Sequence, residues 1–144
     1  MSLIMSIMLF FGNMKSAEVL PGLIQKGKAS FYSKKFNGRR TYYGERVRSE
    51  VLAGAHLTLP LNTLVEVTNL DNQRSVIVRI NDRGPHARGR IIDLTHAAAD
   101  AIGMVSKGIV NVSLRVVGKG RAIAMVASPF DAPVAYQFML EPVI

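Results

Sequence analysis

The sequence predicts a mainly β protein, folded as a small closed barrel of short strands. Three segments are rich in β-branched residues and alternate apolar with polar side chains, which is the pattern of strands with one buried face. They cover residues 62–70, 75–81 and 109–117. One further segment, residues 95–103, has the composition of a helix. Closing the sheet removes its exposed edges, so these features favour a barrel, and 144 residues give room for one such domain.

The remaining elements are predicted from shorter patterns. Residues 27–33, "GKASFYS", alternate small and aromatic side chains, so we expect a first strand there. The segment "LDNQR" has the composition of a turn and separates the strands predicted at 62–70 and 75–81. A short helical turn is expected over residues 52–56, "LAGAH".

The predicted helix "THAAADAIG" has signals at both of its ends. Thr95 is a candidate N-cap, because its hydroxyl can accept a hydrogen bond from the first helical turn, and Gly103 is a candidate C-cap. The alanines between them favour the helical conformation. Asp93 lies just before this helix, so we expect its carboxylate to order the helix start and do not count it among the catalytic residues.

Residues 1–17 predict a signal peptide. They contain an apolar run, residues 3–12, that is too short to span a bilayer as a mature helix and is followed by small residues. A buried N-terminal helix or a misassigned start site is the alternative. We therefore expect export to the periplasm or cell envelope, with no stable membrane span after cleavage.

The rest of the chain is divided into three parts. Residues 18–25 are expected to form a connector, residues 26–118 the barrel, and residues 119–144 a C-terminal tail. The tail has three prolines and no sustained hydrophobic period, so we expect it to pack loosely on the barrel or not at all.

The charge balance indicates a polyanionic partner. Lysine and arginine number 18 against 10 aspartate and glutamate residues, so the formal net charge is +8. Such a field attracts nucleic acid, acidic lipid or anionic cell-wall polymer, and charge alone does not choose among them. Cysteine is absent, which excludes disulfides and thiolate metal sites. Because His56, His86 and His96 lack the i, i+4 spacing of a helical zinc site, we predict no metal and no cofactor.

Six blocks in a fixed order resemble the rare lipoprotein A family of bacterial envelope proteins. The blocks are "GKASFY", "FNGRRTYYGE", "AGAHLTLPLNTLVEVTNL", "RSVIVRINDRGP", "RIIDLTHAAADAIG" and "VSLRVV". The resemblance covers roughly residues 26–117 and implies a six-stranded double-psi β-barrel. It also implies an endolytic lytic transglycosylase, which cleaves peptidoglycan glycan strands, preferably free of stem peptides, and leaves 1,6-anhydro-N-acetylmuramic acid ends.

Two departures from the family pattern bear on function. Tyr42 and Tyr43 stand where a small residue is usual and add aromatic surface beside the expected groove. Arg48 stands three residues after Glu45, where the family commonly has Asp or Asn. This second departure keeps open an alternative function, a non-catalytic barrel that binds cell-wall polysaccharide, because a shared fold does not settle activity.

Asp82 lies in "INDRGP", where an apolar run meets a Gly-Pro turn. Asp commonly caps a turn before a Gly-Pro pair. A carboxyl group at the end of an apolar strand can also be desolvated enough to hold a proton near neutral pH. The resemblance favours this second role and assigns Asp82 as the proton donor to the glycosidic oxygen. A close Arg83 guanidinium would oppose it, but adjacent side chains of an extended segment point to opposite faces.

Glu45 and His56 complete the catalytic set that the resemblance implies. Glu45 matches the family's second acidic position and can stabilise positive charge on the sugar ring or hold sugar hydroxyls. The residues alone leave open a solvated glutamate paired with the arginines around it on a surface loop. His56 can orient Asp82 or donate to the glycan, and its alternative is a hydrogen-bonded histidine at the end of a short helix.

Residues 34–48, "KKFNGRRTYYGERVR", combine six basic residues and one acid with interleaved aromatic rings. We expect Tyr42 and Tyr43 to stack on sugar rings, and Arg39 and Arg83 to bind an anionic glycan strand. Nucleic-acid binding fits the same composition, but export argues against it, so no nucleic-acid partner is predicted. A solvated basic loop is the remaining alternative. The predicted partner is peptidoglycan.

Overall fold

A computed structural model of the chain describes residues 21–120. Within this range the strands are β1 (Ile24–Phe31), β2 (Ala53–Ala55), β3 (Thr63–Asn69), β4 (Ser75–Asp82), β5 (Arg90–Leu94) and β6 (Val110–Lys119). The helix is α1 (His96–Ala101), and a 3₁₀ turn covers Lys34–Phe36. The predicted signal peptide and nearly all of the predicted tail lie outside the described residues.

The six strands close into one barrel in the order β1-β5-β2-β4-β3-β6. Two neighbouring pairs, β1 with β5 and β2 with β4, run parallel. The other pairs run antiparallel. Parallel neighbours need long crossover connections, and the interleaving of the two parallel pairs is the double-psi arrangement. The predicted fold, a closed six-stranded β-barrel with one or two short helices, is therefore confirmed.

The barrel interior is filled by the alternating apolar side chains that predicted the strands. On β6, Val110, Val112, Leu114 and Val116 are buried, and the residues between them are partly or fully exposed. The largest fully buried apolar side chains of the domain are Ile80, Ile92, Leu94, Ile102, Met104, Val65, Val67, Val78 and Val112. Burial of one such side chain contributes about 1.5–3 kcal/mol, so this interior is the main source of the free energy of unfolding.

Strand β2 corrects the sequence prediction, which expected a helical turn over residues 52–56. It pairs in parallel with β4 and antiparallel with β5, so both of its edges are bonded. Ala53 and Ala55 are 1% and 2% exposed. Helix propensities of ordinary residues differ by less than about 1 kcal/mol, and strand pairing on two edges together with burial outweighs them. Strand β5, the "RIIDL" segment, was also absent from the predicted strands.

The two ends of α1 agree with their predicted signals to different degrees. Thr95 occupies the N-cap position, but its hydroxyl makes no capping hydrogen bond. Its Oγ1 instead donates to the Val51 carbonyl at 2.5 Å and accepts from the Ala53 N–H at 3.3 Å, which ties the helix start to β2. At the other end Gly103 has a φ of 68°, the left-handed conformation that glycine adopts after a helix.

The expectation that Asp93 orders the start of α1 was wrong. Asp93 lies within β5, and its carboxylate accepts a hydrogen bond from the Ser30 hydroxyl. Ser30 is its direct cross-strand partner on β1. Arg90, on the same strand as Asp93, places Nη1 3.7 Å from the carboxylate. The strand pairing, and not the helix, therefore determines the environment of this acid.

Gly54 on β2 approaches the main chain of β5 closely. A Cβ at this position would lie 2.9 Å from the Asp93 carbonyl oxygen. We expect Gly54→Ala to lower the free energy of unfolding by about 1–3 kcal/mol, as in other overpacked interiors, and Tm by about 4–8 °C per kcal/mol. Thermal unfolding followed by circular dichroism measures this. Gly118→Ala is the matched control, because a Cβ there meets nothing within 4 Å; equal melting of the two variants would contradict the steric explanation.

Candidate active site

Asp82 is the last residue of β4, and three hydrogen bonds hold its carboxylate. Oδ2 accepts from the Tyr32 hydroxyl at 2.7 Å. Oδ1 accepts from the main-chain N–H of Tyr42 at 2.7 Å and from that of Arg83 at 2.8 Å. The bond from Arg83 is the local one expected of a turn-capping aspartate, whereas the other two donors lie 50 and 40 residues away in sequence. Asp82 therefore joins β4 to the end of β1 and to the loop before β2.

Tyr32, which directly follows β1, is a site residue that was not predicted. Burial raises the pKa of its phenol far above the usual value, and the hydrogen bond and charge of Asp82 and the charge of Asp93 raise it further. The hydroxyl therefore stays protonated and remains a donor to Asp82. Its ring lies against Phe36, with 6.3 Å between the ring centroids. The strand predicted at 27–33 includes this residue, but a local pattern cannot pair it with a partner 50 residues away.

Glu45 is anchored to strand β4. Arg79 forms a bidentate ion pair with it, through Nη1 to Oε1 at 2.8 Å and Nη2 to Oε2 at 2.7 Å. Asn81 donates to the same carboxylate at 3.3 Å. The side chains of Arg79 and Glu45 are 19% and 32% exposed, so the pair is partly shielded from water. Glu45 is thus half-buried and paired with a residue of β4, whereas the alternative interpretation had it solvated and paired with the loop arginines. Arg79 and Asn81 are further site residues that were not predicted.

The two acidic residues are brought to one tight turn, the 41–45 turn. The Thr41 N–H donates to the Glu45 carbonyl at 2.6 Å and closes this turn. Within it, Tyr42 donates its main-chain N–H to Asp82. Asp82 and Glu45 are therefore anchored to the same short segment, one by accepting from its main chain and the other as part of it.

Arg83 joins the two predicted aromatic residues into one cluster. Its guanidinium carbon lies 5.1 Å from the centroid of the Tyr42 ring and 5.6 Å from that of the Tyr43 ring, within the range of cation–π attraction. Nη2 donates to the Tyr43 hydroxyl at 2.6 Å, and Nη1 donates to the Leu57 carbonyl at 2.5 Å. The Tyr42 side chain is 70% exposed. The cluster thus includes an exposed ring, on the residue whose main-chain N–H binds the Asp82 carboxylate.

His56 is buried, and both of its ring nitrogens have partners. Nδ1 accepts from the N–H groups of Thr58 and Leu59, each at 3.1 Å, and Nε2 lies 2.8 Å from Oε1 of Gln25. An acceptor at Nδ1 requires the neutral tautomer with its proton on Nε2, which donates to Gln25. Burial lowers the pKa of His56 below its usual value, and the charge of Arg83 lowers it further.

The link between His56 and Asp82 runs through the main chain. The His56 N–H donates to the Asp82 carbonyl at 3.2 Å, next to the pairing of Ala55 with Asp82 between β2 and β4. The imidazole itself is directed at Gln25 and at the loop after β2. The described hydrogen bonds of the ring therefore go to Gln25 and to that loop, and none of them reaches the Asp82 carboxylate.

The basic residues of the loop before β2 face solvent. Arg39 lies with its guanidinium carbon 5.1 Å from the centroid of the Phe36 ring, outside the Arg83 cluster. Arg40 donates to the Gly44 carbonyl at 3.0 Å. Arg39, Arg40 and Arg48 are all exposed. The loop therefore presents positive charge next to the 41–45 turn.

The part of the chain that the structure describes, residues 21–120, has no helix long and apolar enough to cross a membrane. Its longest helix, α1, has six residues. In the same range, no three His, Asp or Glu side chains gather in a group that could hold a metal ion.

The fold and the site define a small double-psi β-barrel with two acidic residues anchored at one turn. A family model described as "Lytic transglycolase" matches residues 24–114, so the chain belongs to the lytic transglycolase family. The matched range includes every predicted site residue. The family resemblance found in the sequence is therefore confirmed.

Curated relatives agree with this assignment over the barrel. The chain is 54% identical over 96 residues to the "Endolytic peptidoglycan transglycosylase RlpA" of Pasteurella multocida, which covers 67% of this chain and 33% of that protein. It is 52% identical over 95 residues to the protein of the same name from Haemophilus influenzae, covering 66% and 33%. The chain thus spans about a third of the length of these relatives.

Solved structures of more distant proteins share the fold. A Streptomyces papain inhibitor superposes with a TM-score of 0.56 at 23% identity, covering 69% of this chain and 99% of the inhibitor. An expansin from Clavibacter michiganensis superposes with a TM-score of 0.54 at 22% identity, covering 66% of this chain and 50% of the expansin. At these identities the likeness establishes the barrel fold alone.

The buried neutral His56 makes a pH-dependent contribution to stability. Its pKa is lowered in the folded state, so the unfolded state binds more protons below about pH 6.5. This contribution is complete above that pH and is lost as the pH falls. We expect His56→Gln to melt several degrees below the parent protein at pH 7.5, and the gap to narrow at pH 5. His86→Gln at an exposed position is the control, and a gap that is constant with pH would contradict a neutral buried imidazole.

Proposed function

We propose that this domain is an endolytic lytic transglycosylase that cleaves the glycan strands of peptidoglycan, with Asp82 as the residue that transfers the proton. Membership of the lytic transglycolase family and the activity in the names of the relatives support the proposal. The observation on which it chiefly depends is the anchoring of the Asp82 carboxylate by three donors. A glycosidic bond breaks when a proton reaches the leaving oxygen while positive charge develops on the sugar ring.

The hydrogen bonds within residues 21–120 leave Asp82 one lone-pair position for proton transfer. A carboxylate offers about four such positions, two on each oxygen. Oδ1 uses both of its positions for the N–H groups of Tyr42 and Arg83, and Oδ2 uses one for the Tyr32 hydroxyl. We place the transferred proton on the fourth position, on Oδ2.

The reaction then needs a single proton carrier. In the first step the Asp82 proton passes to O4 of the departing sugar, and the bond from that oxygen to C1 of the N-acetylmuramyl unit breaks. In the second step the C6 hydroxyl of the same muramyl unit bonds to C1, and its proton passes to the Asp82 carboxylate. Asp82 returns to its starting state, no water is consumed, and the product ends in a 1,6-anhydro ring. A hydrolase would instead use a carboxylate to activate water.

Glu45 supports this chemistry as a fixed negative charge. Its bidentate pairing with Arg79 and the bond from Asn81 hold the carboxylate in one orientation. A carboxylate so placed can stabilise the oxocarbenium-like ring or accept hydrogen bonds from sugar hydroxyls. Because the ion pair with Arg79 favours the charged form of Glu45, we assign the proton transfer to Asp82.

The surface around the site suits a polyanionic glycan. The exposed Tyr42 ring and the neighbouring Tyr43 and Arg83 form the surface on which we place a sugar. The basic loop with Arg39 adds a positive field beside it. Glycan strands without stem peptides have a free lactyl carboxylate on each muramyl unit, so their regular negative charge fits this field. We therefore propose peptide-free strands as the preferred substrate.

We place the activity in the cell envelope, where peptidoglycan is found, and within it in the periplasm. The signal peptide predicted over residues 1–17 supports this location. Export directed by this segment would bring the domain to its proposed substrate.

A second candidate function is that of a barrel that binds cell-wall polysaccharide without cutting it. The observation that favours it is Arg48, an exposed cation where the family commonly has an acidic or amide side chain. The exposed Tyr42 ring and the basic loop would serve binding as well as cleavage. Product analysis separates the two functions, because a binder retains intact glycan.

The decisive substitution is Asp82→Asn. An amide is nearly isosteric with the carboxyl group and can still accept at a turn, but it cannot deliver a proton. We expect the rate of cleavage of purified peptide-free strands to fall by about 10²–10⁴-fold, with glycan binding and Tm nearly unchanged. Mass analysis of the digestion products measures the 1,6-anhydro ends.

Asp71→Asn is the matched control, because it makes the same chemical change at a surface aspartate that pairs with Lys107. Anhydro ends made by this variant at the parental rate, and not by Asp82→Asn, are the expected result. Parental cleavage by Asp82→Asn would return Asp82 to turn capping alone. Reducing ends from the parent protein would indicate a hydrolase, and intact glycan retained on the protein would indicate the binding barrel.

The basic loop is tested by Arg39→Ala combined with Arg40→Ala. Both side chains are exposed, so we expect weaker binding to insoluble cell-wall material and a flatter dependence on salt, because exposed charges act through a screened field. Sedimentation of the protein with wall fragments at low and high salt measures this. Lys107→Ala combined with Arg115→Ala changes the net charge equally but outside the loop. If both double variants lose binding to the same extent, total charge and not the loop is responsible.

A further inference from the structure

We infer that Tyr32 is a positioning residue for Asp82, whose hydroxyl holds Oδ2 so that the other lone pair of that oxygen is presented to the substrate. The consequence for catalysis rests on the proposed function. The contact itself, from the Tyr32 hydroxyl to Oδ2 at 2.7 Å, is a property of the fold. It is the only contact to Oδ2 among the hydrogen bonds that the structure describes, since the other two donors bind Oδ1.

The backbone around Tyr32 is rigid enough for this role. Its main-chain N–H donates to the Leu94 carbonyl at 2.9 Å, which extends the pairing of β1 with β5 by one step. The ring is half-buried and packs against Phe36. The tyrosine is therefore held both by its main chain and by its ring. Because the barrel is closed, its hydroxyl lies at the end of β4, next to Asp82.

The protonation state of Tyr32 suits a permanent donor. Burial and two nearby carboxylates, those of Asp82 and Asp93, disfavour the phenolate and raise the pKa of the phenol. Asp93 is itself bound by Ser30 and lies beside Arg90. Because the phenol keeps its proton, its hydroxyl remains a hydrogen-bond donor to Asp82. The transferred proton is then carried by Asp82 and not by Tyr32.

The other charged groups near Asp82 approach it differently. Arg83 gives Asp82 its main-chain N–H, and its guanidinium donates to Tyr43 and Leu57. Glu45 is held across the 41–45 turn by Arg79. Neither group contacts Oδ2 by a described hydrogen bond, so removal of the Tyr32 hydroxyl is a specific perturbation of that oxygen.

The same applies to His56, which directly follows β2, and to Asp93 on β5. His56 gives its main-chain N–H to the Asp82 carbonyl, and its imidazole is neutral. Asp93 acts on the Tyr32 phenol. Substitution of the hydroxyl alone leaves both of these residues in place.

The test is Tyr32→Phe, which keeps the ring against Phe36 and removes only the hydroxyl. The ¹³C signal of the Asp82 side-chain carboxyl is compared in the parent protein and the variant at one pH. Because Oδ2 loses the hydrogen bond from the Tyr32 hydroxyl, we expect this signal to move. The cleavage rate at saturating glycan should fall about 10–100-fold with KM unchanged, because the carboxyl is no longer held in place.

Thr68→Val is the matched control. It also removes one partly buried hydroxyl whose hydrogen bond is 2.7 Å long, but on the β3–β4 pair. We expect it to leave both the Asp82 carboxyl signal and the cleavage rate unchanged. Any loss of rate shared by the two variants is then a stability effect, which thermal unfolding measures directly.

The two readouts separate this inference from the proposed function. An Asp82 carboxyl signal that does not move in Tyr32→Phe would overturn the inference, whatever the activity. An unchanged rate at saturating glycan in an active enzyme would also overturn it. If the signal moves but the parent protein makes no anhydro ends, the hydrogen bond from Tyr32 to Asp82 stands and the proposed transglycosylase function fails.

Discussion

The site depends on the position of one three-residue strand, β2, between β4 and β5. Ala55 on this strand pairs with Asp82 on one side and with Asp93 on the other. Only small side chains fit here, because a Cβ at Gly54 would meet the β5 main chain at 2.9 Å. Strand β2 therefore places Asp82 and Asp93 on its two sides, at the same level of the barrel. One acid remains available at the end of β4, while the other is bound within the sheet.

Hydrogen bonds from distant segments distinguish Asp82 from an aspartate that only caps a turn. A capping aspartate needs only the local N–H of the next residue, as Asp82 receives from Arg83. The additional donors come from Tyr32 and from the main chain of Tyr42. Together they fix the orientation of the carboxyl group before any substrate binds, which is the general requirement for efficient proton transfer. The turn-capping and catalytic interpretations are thus compatible, because one carboxylate has enough lone pairs for both.

The acidic and basic side chains of the 34–48 segment have different surroundings. Glu45, the acid of the 34–48 segment, is turned toward the barrel and paired with Arg79. Arg40 and Arg46 donate to main-chain carbonyls of the same loop. The positive charge of the loop is therefore directed at solvent, where a polyanionic strand would approach. Arg48, which differs from the usual family residue, adds to this positive field. The field would attract a polyanionic strand to an enzyme and to a binding domain alike.

The sequence by itself determined the mainly β fold, four of the strands, the helix and the family. Those features follow from local patterns, since β-branched alternation and ordered motif blocks can be recognised without knowing any long-range contact. Only the tertiary structure decided that residues 53–55 form a strand, that Asp93 belongs to β5, and that the His56 imidazole is hydrogen-bonded to Gln25 and to the loop after β2. It also decided the partners of the two acids, Tyr32 for Asp82 and Arg79 for Glu45. These contacts join residues 50 and 34 positions apart, and barrel closure, which no local pattern encodes, is what brings them together.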